Sequence, residues 1–155
     1  MNLLDKPKDI VLDTHAIKEI ILKEENKWIL EVIKKICHTL IIPDLRPEYK
    51  VHIGQFLMLL SSLLTILRGK IVPDVKPSKL PKDVERSLKR SGADKGDLIV
   101  AGVAYRRSRG SRVLIVSDDA CFHNAYPSLR KYGIEVAYVK EFLNEASSIY
   151  TLYHV

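Results

Sequence analysis

A chain of 155 residues holds one ordinary domain, and 46% hydrophobic with 28% charged residues is the balance of a folded chain rather than a disordered one. Its net charge of +6 favours a polyanionic partner, nucleic acid before a membrane surface. The longest apolar run, "FLMLLSSLLTIL" at 56–67, falls short of the roughly 20 residues of a membrane span, so no membrane partner is expected.

The opening, "MNLLDKPKDIVLD", carries charges where a signal peptide has an unbroken apolar core, and a cytoplasmic location is expected. Cys37 and Cys121 lie in no ligand spacing and read as reduced, buried thiols. "DIVLDT" (9–14) is an apolar strand that ends in an acid at Asp13. The segment after it repeats its apolar residues at helical spacing as far as about residue 40, with a break near 24–26. "LIIP" (40–43) is a second short strand. Pro47 suits the first turn of a long helix running to Leu67, which puts Glu48 in that turn.

Residues 69–82 hold three prolines and four lysines and read as an exposed connection, with a short edge strand at Ile71 and Val72. "PKDVERSLKRSG" predicts a helix closed by Gly92, and "DKGDLIVAGVAYRRSR" a helix capped by Asp94. "RVLIVS" and "GIEVAYV" (133–139) are strands, and the tail from Lys140 is a last helix. Strands separated by helices predict an α/β fold: a three-layer sandwich with a mostly parallel central sheet and helices on both faces, formed by 1–155 as a single domain.

In such sheets, sites form at the carboxyl ends of strands where strand order reverses. Asp13, Asp118 and Asp119 stand at two such ends, and Glu48 and Asp97 sit on helices that follow other strands. Carboxylates gathered in one cleft repel each other unless protons or cations neutralise them. Oxygen donors alone favour Mg²⁺ or Mn²⁺ over zinc, and ions held this way activate water and stabilise the leaving oxygen of a phosphate. The chain has no GxSxG turn, P-loop or GxGxxG turn, which argues against serine hydrolases and nucleotide cofactors. Its five histidines show no paired zinc-ligand spacing; His15 stands out only for lying two residues after Asp13.

"IVLDTHAI", "PEYK", "DKGDLIVAGVAY" and "LIVSDDACF", in that order over about residues 9–139, resemble the four signature stretches of the PIN-domain nucleases. The resemblance implies a PIN-like fold and a Mg²⁺- or Mn²⁺-dependent endoribonuclease that hydrolyses phosphodiester bonds of single-stranded RNA. It leaves open the toxin of a toxin–antitoxin pair or an RNA-processing enzyme. It also implies that Asp13, Glu48, Asp97 and Asp119 are the catalytic metal ligands, with Asp94 and Asp118 as further candidates and Thr14 and Ser117 as orienting hydroxyls. Three features depart from the family pattern: His15 follows the "DT", the second stretch is proline-rich, and Ser117 stands for a threonine.

Most of the acids also have a plainer role: Asp13 and Asp94 suit helix caps, Glu48 suits the positive end of a helix dipole, and of the final pair Asp119 is favoured as the ligand, the other being a solvated turn residue or helix cap. The alternative function is a non-catalytic PIN-fold module that binds nucleic acid or protein. Lys79, Lys82, Arg86, Lys89, Arg90 and Lys95 are the expected RNA contacts. The arginines of "YRRSRGSR" sit at the far end of the helix that begins near Asp94, roughly 15 Å or more away at ~1.5 Å per residue. The apolar run at 56–67 suits core burial, a homodimer interface or a groove for an antitoxin-like protein equally well.

Overall fold

The computed structural model describes residues 9–20, 23, 25, 28, 29, 31, 32, 39–42, 71–73 and 77–154. Five strands, β1 (Asp9–Leu12), β2 (Thr39–Ile42), β3 (Ile71–Pro73), β4 (Val113–Val116) and β5 (Ile134–Ala137), form one sheet in the order β3-β2-β1-β4-β5. Every neighbouring pair is parallel. The helices include α1 (Thr14–Ile20), α2 (Lys82–Arg90), α3 (Lys95–Ser108), α4 (Ala120–Asn124), α5 (Tyr126–Arg130) and α6 (Val139–His154), and residues 28, 29, 31 and 32 are helical as well.

The middle of the sheet is aliphatic on both faces. Side chains alternate along a strand, so Val11, Val113, Ile115, Ile134 and Val136 share one face, packed in a core with Val84, Leu88, Val100, Val103, Phe122 and Leu129 from α2 to α5. Ile10, Leu12, Leu114 and Val116 alternate to the other face and are equally buried. Helix α1 packs on β1 and against α6, and Ala16, Ile17, Ile20, Phe142 and Ala146 of these helices are buried. Burying each Ile, Leu or Phe stabilises the fold by roughly 1.5–3 kcal/mol. The strand ends that carry the acids are therefore anchored in rigid packing.

The edge strand predicted at Ile71 and Val72 is present as β3, and Pro73 is tolerated because it closes the outermost strand. Helix α2 stops where Gly92 adopts φ +86°, a left-handed conformation that glycine takes without strain. Two elements depart from the expected order. The strand predicted to reach residue 139 ends at Ala137, because the Val139 amide donates to Asp118 Oδ1 (2.9 Å) and opens α6 instead. The crossover that parallel β4 and β5 require holds α4 and α5, two five-residue helices that the sequence pattern does not announce.

Helix α3 runs close to the 77–80 segment. A Cβ on Gly102 would stand 2.7 Å from Pro77 Cβ and 2.9 Å from the Ser78 carbonyl oxygen, and the Ser78 amide donates to the Gly102 carbonyl at 3.1 Å. Gly102→Ala must push backbone apart, so it is expected to lower stability by about 1–3 kcal/mol. Urea unfolding checks this; an unchanged midpoint would show that the segment yields freely.

The apolar run at 56–67, Glu48 and Cys37 lie outside the described residues. Among the described residues no helix is long and apolar enough to cross a membrane.

Candidate metal centre

Strand order reverses between β1 and β4, and Asp13, Asp118 and Asp119 emerge at the carboxyl ends of these two strands. This is where parallel sheets open a crevice. Asp13 follows β1 and is buried at 8% exposure. Its Oδ1 accepts from the Ala16 amide (2.8 Å) and thereby caps α1. Its Oδ2 accepts from the Ser117 hydroxyl, which comes from the end of β4. Ser117, fully buried, also uses its Oγ to accept from the Asp119 amide at 2.9 Å. One hydroxyl thus ties the two strand ends together.

Asp97 arrives from the first turn of α3. Asp94 caps that helix by accepting from the Asp97 amide (2.9 Å), and Asp97 Oδ2 accepts from the Asp94 amide (3.0 Å), a reciprocal capping box. Asp119 Oδ1 accepts from the Cys121 amide (3.1 Å) and caps α4. Ligand atoms of Asp97, Asp119 and Cys121 all lie within 4.8 Å of one another, and this group could hold a metal ion. The spacing suits a single ion: donors at 2.0–2.6 Å from a cation stand up to about 4–5 Å apart across it.

Electrostatics favour a cation here. Burial, with Asp119 and Asp94 nearby, pushes the Asp97 carboxyl up to about 6, although the Asp94 amide pulls it down. Burial raises Asp13 too, against the bonds from Ser117 and Ala16. The Cys121 thiol is pushed up by burial and then by Asp97 and Asp119, so it stays protonated in the metal-free protein. Asp119 is exposed, Asp97 half-buried and Cys121 buried, so an ion would enter past Asp119.

The expected site residues separate into groups. Asp97 and Asp119 come together, and Asp13 stands behind Asp119, linked through Ser117. Each Asp13 oxygen already accepts one hydrogen bond and keeps a second lone pair. Asp94 is exposed and spends its carboxylate on the cap of α3. Asp118 turns away: Oδ1 accepts from the Val139 amide and Oδ2 pairs with His15 Nε2 at 3.3 Å. Glu48 and the Thr14 side chain lie outside the described residues. Cys121 was expected only as a buried thiol; it is buried and free, but it also joins the acids.

Asp118→Ala removes a cap from α6 and is expected to cost about 1 kcal/mol, since its exposed pair with His15 adds little. Thermal unfolding with and without Mn²⁺ checks it. The melting temperature should drop while the stabilisation by Mn²⁺ persists; loss of the Mn²⁺ effect would put Asp118 in the centre.

Lys79 and Lys95 share the lining of a surface cleft of about 280 Å³ with Pro77, Leu80, Leu98 and Ile99, beside the first turn of α3. Lys82, Arg86, Lys89 and Arg90 are exposed on α2, opposite its buried Val84 and Leu88, and Lys89 pairs with Glu85 at 2.9 Å. At the far end of α3, Arg107 pairs with Asp9 (3.4 Å), Arg112 with Glu135 (3.0 Å), and Arg109 lies 5.1 Å over the Tyr105 ring. These contacts suit fold stabilisation better than a distal phosphate site.

No family model matches the chain, and no curated protein matches it.

Proposed function

We propose that the chain is a PIN-like nuclease that hydrolyses single-stranded RNA with Mg²⁺ or Mn²⁺ held by Asp97 and Asp119. The observation that carries this reading is the convergence of these two carboxylates, from helices entered after different strands, at the point where strand order reverses. The order of the four sequence stretches supports it as well. Asp13 holds Ser117, and Ser117 holds the backbone of Asp119, so Asp13 is first a positioning residue.

A divalent ion bound there would activate water and neutralise charge on the phosphate. The protein's own part is to present two carboxylates from rigid elements and to keep Asp97 able to give up its proton near neutral pH. Lys79 and Lys95, with the exposed cations of α2, supply attraction for the RNA backbone. Cys121 adds a sulphur donor to an otherwise oxygen set, so the centre would also take softer ions than Mg²⁺.

The test is cleavage of a single-stranded RNA by purified protein, with Mn²⁺ and with EDTA. Cleavage in Mn²⁺ alone supports the proposal. RNA binding that ignores EDTA, with no cleavage under either condition, would instead make the chain a binding module.

A further inference from the structure

The carboxyl ends of β4 and β5 also carry an aromatic pair that the metal centre does not use. Tyr138 keeps 45% of its surface in solvent, which sets it apart from the buried aromatic rings of the core. It lies parallel on the imidazole of His123, with ring centroids 3.6 Å apart and planes 7° apart. His123 is itself fixed, because its Nε2 stands 2.7 Å from the Ser117 carbonyl oxygen. A carbonyl only accepts, so Nε2 carries the proton and the ring orientation is set.

The turn that bears Tyr138 is pinned as well. Its amide donates to Glu141 Oε1 at 3.0 Å, and the next amide, of Val139, donates to Asp118 Oδ1 at 2.9 Å. Ser117 therefore joins two structures. Its carbonyl orients His123 under Tyr138, and its hydroxyl donates to Asp13 and accepts from the Asp119 amide at the candidate metal centre. An exposed ring held rigidly at the same end of the sheet as the candidate metal centre is preorganised for a planar, apolar ligand.

We propose that Tyr138 is a stacking platform for a nucleobase of single-stranded RNA, positioned by His123 so that the adjoining phosphate reaches the centre of Asp97 and Asp119. This rests on the ribonuclease reading above. Stacking tolerates any base, because every base has a π-face, so the platform positions the strand without selecting sequence.

The test is fluorescence anisotropy of a short single-stranded oligoribonucleotide in EDTA, where cleavage does not intervene. Tyr138→Phe should bind as the wild type does, and Tyr138→Leu, which keeps the bulk, should bind about 5- to 140-fold more weakly. An oligonucleotide with one base removed should lose a similar factor with the wild type and almost nothing further with Tyr138→Leu. If Tyr138→Leu binds as tightly as the wild type while Mn²⁺-dependent cleavage persists, the platform is overturned and the nuclease reading stands. If the wild type neither binds nor cleaves RNA, both fall.

Discussion

Asp97→Asn is expected to slow Mn²⁺-dependent cleavage of single-stranded RNA by about a hundredfold or more. The substitution is nearly isosteric, and the amide oxygen of asparagine still accepts from the Asp94 amide, so the capping box of α3 keeps one of its two bonds in full and the other in weaker form. What disappears is a negative charge and the anionic donor that the proposed centre would offer an ion. Metal stabilisation of the charge that develops on a phosphate is worth several kcal/mol, and each ~1.4 kcal/mol lost is a factor of ten in rate. Asp119→Asn is a less clean test, because Asp119 also caps α4 through the Cys121 amide. Single-turnover cleavage with saturating protein separates the rate from RNA binding. Equal rates for Asp97→Asn and wild type would remove Asp97 from catalysis.

The sheet was legible because its central strands are unbroken aliphatic runs, "IVL" and "VLIV", of the kind that only a sheet covered on both faces can bury. The edge strand was legible from its proline, and α3 from Asp94. Helices α4 and α5 were not, since five residues span little more than one turn and show no period.

The acids followed the same division. Asp13, Asp97 and Asp119 could be assigned to strand ends and helix starts, and their positions there agree with the sequence expectation. The separation of Asp118 from Asp119 depends on Val139 and His15, partners remote in sequence that only the folded chain brings near. Cys121 was hidden for a related reason: its place beside Asp97 exists only once Asp119 has capped α4. His123 and Tyr138 meet only because β4 and β5 are neighbours.

Stability of the metal-free protein and its response to Mn²⁺ are expected to move in opposite directions as pH rises from about 4 to about 6. The ordinary value for the Asp97 carboxyl is 3.8, and in the folded protein burial holds it up at about 6. Between those values the folded state binds more protons at this site than the unfolded chain does. The contribution of Asp97 is thus greatest below pH 3.8 and is lost as pH rises through about 6. Asp13, also raised by burial, acts in the same direction. A divalent ion competes with that proton, so Mn²⁺ should stabilise weakly near pH 4.5 and fully above about 6.5. At a free concentration 100 times its Kd, the ion adds about 2.7 kcal/mol, roughly 5–10 °C for a domain of this size. Asp97→Asn should flatten both trends, since it removes the titrating group and the ligand together. Melting curves at a series of pH values, with Mn²⁺ and with EDTA, measure all of this. A full Mn²⁺ shift at pH 4.5, or an undiminished one in Asp97→Asn, would place the bound ion elsewhere.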